Sequence, residues 1–318
     1  MPLLSYNISK SLEDKLIEIE KIRRDLLLMP LSLKDSSRLK WESKIERVFF
    51  ALSFEGTNIQ KEEIAKLLTS PTKKHLKSTE KEALFYANTF GFLEYKWLVS
   101  DNTPDSDSVL NLYNIITPIK SKKEMKSFKK TRKKIDYLFE YLETGNLNPV
   151  IQSAIAYIQL LALSPFKKQS TKISMLTSYL LLYKNAYDFR GFLVLEKHFT
   201  NDMDNLQKAI KNVYEKRSLT PWLNYFSNSL FLQCREIIDK AGKKEFKLKQ
   251  THSLGELNER QKQILTFLER PGENITNKKV QKMFKISQIT ASRDLSKLTN
   301  LSLLFAHGKG RSVYYTRV

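Results

Sequence analysis

From residue 8 to about residue 241, apolar residues return at the spacing of a helix in one segment after another. That periodicity constrains the fold more than any other feature, because each such segment must bury one stripe against another helix. Residues 8–30 carry it, with a Ser/Glu capping pattern at Ser11. So do residues 36–54, "IQKEEIAKLLTS" and "STEKEALFYANTFGFLEYKWL". After the polar loop "DNTPDSD" come "SVLNLYNIIT", "IDYLFEYLET" and, past a "GNLNP" turn, "VIQSAIAYIQLLAL". Residues 171–186 and 201–215 continue the series. "TPWLNYFSNSLFLQCREIIDKA" closes it, with Pro221 in the first turn where a missing N–H costs little. Only 9 Gly and 9 Pro interrupt 318 residues, which agrees with a mainly α chain.

The pattern changes near the end. "GKKEFKLKQTHSLGE" is polar and basic and is expected to be a linker. "LNERQKQILTFLER", "TNKKVQKMFK" and "SQITASRDLSKLT" read as three short helices, the last two capped by Thr276 and Ser287. "SLLFAHGKGRSVYYTRV" reads as two strands around Gly308-Lys309-Gly310. Three helices plus a β-hairpin is the order of a winged helix-turn-helix. Val280, Met283 and Phe284 are expected to form the inner face of its second helix. Ala291, Leu295 and Leu298 stand at i, i+4 and i+7 and should face the core. Ser287, Gln288, Thr290, Arg293 and Lys297 are then left outward, with Ile289 beside them, as donors, acceptors and a methyl contact for a major groove. Lys309 and Arg311, at the hairpin tip, are placed to meet a neighbouring phosphate or minor groove. Residues 256–318 carry twelve basic and five acidic side chains. "SQITASRDLSKL" with "HGKGRSVYYTR" also resembles the DNA-binding end of many bacterial winged-helix regulators.

Net charge is +20, which attracts polyanions, with nucleic acid as the first candidate partner. Residues 120–134 hold nine basic side chains against one acid. Without a periodic apolar face of its own, this run is expected to be a solvated flap or tether rather than a helix, with phosphate tracking beside the winged helix as the alternative. The single cysteine, Cys234, excludes a disulfide framework or a cysteine zinc site within one chain. Apolar runs stay well under the roughly 18 residues of a membrane span. The opening "MPLLSYNISKSLEDK" has no charged-then-apolar leader. A reducing cytoplasm is the expected location.

In the middle of the chain, three stretches occur in one order: "FEGTN" at 54–58, "NPVIQSAIAYIQLLALSPF" ending at Phe166, and "YEKRSLTPWLNYFSNSL". Over roughly residues 40 to 240 they resemble the Fic family, whose better-known members transfer AMP from ATP to a protein hydroxyl. The resemblance implies a Fic-like helical domain at 41–241 with an N-terminal helical segment, 1–40, packed on it. A linker at 242–255 and a winged helix at 256–318 would follow. "FEGTN" is similar to the family's inhibitory turn, which makes Glu55 and Gly56 its counterparts here. Ala51 and Leu52 stand where the family favours serines.

The family signature His-Pro-Phe-x-Asp-Gly-Asn-Gly-Arg-x-x-Arg falls on Ser164 to Met175, and there the sequence departs from it. Ser164 replaces the base, and an unassisted serine cannot accept a proton near pH 7. Lys168 replaces the metal-binding acid and would repel magnesium. Gln169 and Thr171 replace glycines that let backbone approach phosphate. Lys172 keeps the charge of the first arginine, while Met175 loses the second, which the resemblance sets opposite the inhibitory glutamate; Glu55 could pair with Lys172 instead. Phe166 is expected in the core. Lys167, Lys168, Lys172, Ser170 and Thr171, at a helix N-terminus, could instead cradle an anion or nucleotide without chemistry. No catalytic residue, cofactor or metal is therefore expected, with ATP or another nucleotide left open as a bound ligand. The leading expectation is a DNA-binding transcriptional regulator on a catalytically degenerate Fic-like body, which would serve as a platform for homodimerisation or ligand sensing. The alternatives are an active adenylyltransferase using another base and a non-catalytic scaffold for a protein partner.

Overall fold

The computed structural model describes residues 5–69, 76–117, 121–242, 257–268, 273–300, 303–307 and 313–317, with backbone alone at Leu33 and Asn300. The chain divides into two compact units. The first comprises Met1–Pro30, Leu39–Ile64 and Leu76–Asp239, and the second Leu31–Arg38, Ala65–His75 and Lys240–Val318. Two short internal segments thus belong with the C-terminal unit, which a division by sequence position alone does not anticipate. The linker at 242–255 falls almost wholly outside the described residues, and Lys309 and Arg311 fall wholly outside them.

In the first unit the centre is the pair α7 (Pro149–Leu163) and α8 (Ser170–Lys184), which pack on each other. Both are buried on nearly every side, from Val150 to Leu160 and from Lys172 to Tyr183, as expected of helices apolar all round. Around them lie α4 (Ser78–Trp97) and α5 (Ser106–Ile116), packed on α8, and α6 (Lys122–Thr144), packed on α7. The unit is completed by α1 (Lys10–Leu28), α9 (Leu195–Asn201), α10 (Met203–Lys216) and α11 (Thr220–Gly242). Helices α2 (Leu33–Phe54) and α3 (Lys61–Thr69) supply further core residues such as Val48, Leu52 and Ile64. Trp222 of α11 is buried against Tyr157 and donates to the Ala154 carbonyl at 2.6 Å. Cys234 is a buried core residue.

Two details of the sequence reading change. The cap of α1 is Ser9, not Ser11: its Oγ accepts from the Leu12 N–H at 3.3 Å. From Lys122 on, the basic run is not a flap or tether, for it lies within α6 without a break. The error came from ending the apolar pattern at residue 134. Glu124, Phe128, Ile135, Leu138, Phe139 and Leu142 form one buried stripe across that boundary, and the strongly apolar second half extends the helix backward.

The second unit contains α12 (Glu259–Phe267), β1 (Ile275–Thr276), α13 (Asn277–Phe284), α14 (Gln288–Asn300), β2 (Leu304–His307) and β3 (Tyr314–Arg317). The strands form one antiparallel sheet in the order β1-β3-β2, with Ile275 opposite Tyr315 and Ala306 opposite Tyr315 on the other side. Strand β1 was not legible in the sequence, because two residues carry no period. The result is a mainly helical chain ending in a small winged unit. Its core gathers Ile264, Leu265, Ile275, Val280, Ala291, Leu295, Leu298 and Leu304. Met283, expected inside with Val280, is 43% exposed; Phe284 takes the inner position partly buried. Among the described residues, no helix is long and apolar enough to cross a membrane.

Candidate functional site

Two places collect the candidate residues. In the first unit, the chain leaves α7 at Ser164, which adopts a left-handed conformation (φ 44°, ψ 57°) while its N–H bonds the Leu160 carbonyl at 2.8 Å. That turn sends Pro165 and Phe166 back into the core. The Phe166 ring stacks between Tyr113 at 3.8 Å and Phe128 at 5.2 Å, nearly parallel to both. A short 3-10 turn, Lys167–Gln169, leads into α8. Lys167 and Lys168 are exposed, and Ser170 and Thr171 are half-buried. The Ser170 hydroxyl reaches only the Leu161 carbonyl, at 3.5 Å.

Lys172 behaves differently. It is 4% exposed, and its ammonium lies between two carboxylates: Glu55, at 2.5 Å, and Glu82, in a second ion pair. The position of Glu55 follows from how α2 ends. Gly56, at φ +77°, sits just past the helix. The Thr57 N–H bonds the Leu52 carbonyl at 3.0 Å and the Gly56 N–H bonds Ser53 at 2.9 Å. This is a Schellman cap, which needs glycine at the left-handed position. It leaves Glu55 directed at α8. Glu82, one turn inside α4, meets the same ammonium from another helix. The three charges sum to −1, so the Lys172 ammonium is already over-neutralised.

Beside this triad is a narrow pocket lined by Phe54, Glu55, Tyr86, Thr171, Met175 and Glu196, among others. Glu196 is 2% exposed and accepts from the hydroxyls of Tyr86 and Tyr179, each at 2.6 Å. Burial pushes its carboxyl above the usual carboxylate range, against those two bonds. Arg47 is equally buried. It donates to the Gly191 carbonyl and stands 4.2 Å from the Phe90 ring centroid. Glu82, Glu196 and Arg47 were not singled out from the sequence. Arg47 could have been: it occupies the buried stripe Leu39-Ser43-Arg47-Phe50, where a charge is out of place. Glu196 likewise interrupts "FLVLEKHF".

The second place is the helix pair α13 and α14. Lys285, left-handed at φ 50°, ends α13, and the Ile286 N–H reaches back to the Gln281 carbonyl. Ser287 caps α14: its Oγ accepts from the Thr290 N–H at 3.2 Å and lies 3.0 Å from the Thr290 hydroxyl. Gln288, Ile289 and Arg293 are exposed, whereas Thr290 and Lys297 are half-buried. Opposite them, Ala291, Leu295 and Leu298 are fully buried. Asp294, 4% exposed, ties α14 to α12 by accepting from Arg260 at 2.9 Å and Gln261 at 2.7 Å. Burial alone would raise the Asp294 carboxyl; those bonds outweigh it and hold the group below its ordinary value.

No protein-family model and no curated protein sequence matches the chain. Solved structures do. A Fic family protein from Desulfovibrio desulfuricans G20 matches at a TM-score of 0.64 and 14% identity, over 99% of this chain and 98% of that one. A Fic domain-containing signaling protein from Bacteroides thetaiotaomicron VPI-5482 matches at 0.53 and 14% identity, over 72% of this chain and 97% of the other. Fic-1 (residues 134–508) from C. elegans matches at 0.51 and 15% identity, over 72% and 71% of the two chains. At such identities the likeness is one of architecture, and the body of this protein is a Fic-like helical domain.

Proposed function

We propose that the chain is a DNA-binding transcriptional regulator whose Fic-like domain does no group transfer. The observation that carries this reading is the division of α14. Its inner positions are fully buried, while Gln288, Ile289 and Arg293 stand in solvent on the second helix of a helix-turn-helix. The net charge of +20 supports it. Such a regulator works on DNA in the cytoplasm, and a homodimer would read two half-sites.

The absence of transfer rests on the chemistry of the loop. A magnesium nucleotide needs a carboxylate near the phosphates and a base for the target hydroxyl. The loop offers serine, threonine and lysines, and the donor set does not fit. Glu196, the buried carboxylate at the pocket, is already held by two tyrosine hydroxyls. Lys172 is sequestered by Glu55 and Glu82, which leaves Lys167 and Lys168 as the charges an anion could still meet.

The test is selection of bound sequences from random duplex DNA, with Arg293→Ala and Lys297→Ala alongside. A defined consensus is expected, and each variant should lose about 1–3 kcal/mol on it. Absence of any enriched sequence would end the regulator reading. Labelled AMP transferred from ATP to protein by the same preparation would end the claim of a silent domain.

A further inference from the structure

Helix α6 carries seven lysines between Lys122 and Lys134, and the helix sorts them. At 3.6 residues per turn they fall within an arc of about 140°, directly opposite the buried stripe of Phe128, Ile135 and Leu138. All seven are exposed. Among the described residues, Arg132 is the one cation of this stretch held by a carboxylate, Asp107 at 2.7 Å. The stretch's own acid, Glu124, is 7% exposed and turned inward. The next two, Asp136 and Glu140, lie beyond the run, and Asp136 is engaged by the Ser106 N–H.

Some other helices of the chain pair surface charges of opposite sign. Lys10 pairs with Asp14, Arg24 with Glu20 and Lys211 with Glu215, all four residues apart. In α6 the same spacing joins like charges: Lys122 with Lys126, Lys126 with Lys130, Lys129 with Lys133 and Lys130 with Lys134. Each such pair destabilises a helix. Lys122 and Lys123 also sit in the first turn, where the helix dipole disfavours cations. A face kept only for solubility would be cheaper with mixed signs.

We propose that the lysine face of α6 is a second nucleic-acid contact, on the Fic-like domain, that takes the sugar-phosphate backbone of duplex DNA without reading sequence. Charge and length both fit. The run from Lys122 to Lys134 extends about 18 Å along the helix. A duplex presents about ten phosphate charges over that distance. A membrane surface fits less well, because a helix lying on lipid must insert its apolar face, and that of α6 is committed to the core. Single strands are bound by rows of stacking aromatics, and this face offers one, Tyr137. The contact does not depend on base reading by α14.

The test uses the full chain, a random-sequence duplex and anisotropy titrations at several salt concentrations. Lys126, Lys129, Lys130 and Lys133 are replaced together by Gln, and in a second variant by Arg. Circular dichroism checks that both remain folded. With Gln, the logarithmic salt slope should fall by about two to four, at about 0.9 for each phosphate that is no longer neutralised, and affinity should drop at least about tenfold. With Arg, both should be retained. Arg293→Ala/Lys297→Ala disables the reading helix, and the Gln substitutions should still lower the slope in that background. An unchanged slope and affinity in the folded Gln variant overturns the proposal, whatever α14 does. So does tighter binding to phosphatidylglycerol vesicles than to duplex, abolished by the same substitutions, because the face would then belong to membranes.

Discussion

The Glu55–Lys172–Glu82 triad makes a prediction about non-additivity. Either carboxylate alone still balances the Lys172 ammonium. Each is partly hydrated, with 30% of its side chain exposed, and each repels the other. Glu55→Gln or Glu82→Gln should therefore cost little, about 0–1 kcal/mol, as for other solvent-reached pairs. Removing both leaves an ammonium that is 4% exposed with no counter-charge. Loss of all partners of a buried charge costs about 3–5 kcal/mol. The glutamine oxygens can still accept from it, so about 2–4 kcal/mol is expected for the double variant. The coupling between the two substitutions should then be about 1–3 kcal/mol. Urea unfolding followed by tryptophan fluorescence reads this out, because Trp41, Trp97 and Trp222 all lie in the first unit. A double variant whose loss equals the sum of the singles within about 0.5 kcal/mol would show that Lys172 does not need the pair, and the reasoning would fail.

Other outcomes follow from the same geometry. Ser164→Gly relieves a left-handed serine and should stabilise the first unit by about 0.5–1 kcal/mol in the same assay; a loss would mean the hydroxyl has a structural partner. Glu196 is held protonated by burial to a higher pH than in the unfolded chain, so it favours folding below about pH 4.5 and that contribution fades as pH rises through its folded value. Glu196→Gln should thus gain stability relative to the parent as pH rises above about 4.5, as followed by thermal melts. Asp294→Asn should destabilise the second unit by about 1–3 kcal/mol at pH 7, with the difference shrinking as acid protonates the parent carboxyl; melts monitored by circular dichroism test it. The Cys234 thiol, buried with its pKa pushed well up, should react with a thiol reagent only as the chain unfolds.

What the sequence settled by itself is what local chemistry controls. Helical spacing determined the α-rich body, and Thr276 and Ser287 marked the starts of α13 and α14 because a cap needs only its own next three residues. The stripe Ala291-Leu295-Leu298 told which face of α14 is inward. "FEGTN" announced a turn, and Gly56 shows why: only glycine suits its backbone angle without strain. Tertiary structure decided everything that depends on residues meeting from distant segments. A Lys172–Glu55 pair was within reach of the sequence, but Glu82, 90 positions away, closes on the same ammonium only in the fold, and that takes Lys172 out of the phosphate-binding set. The basic run read as a tether until one buried stripe joined it to the apolar half of α6. Strand β1 exists because β3 offers it an edge 40 residues later. Periodicity reports which side of a segment turns inward; which charges end up facing one another is set by how the segments pack.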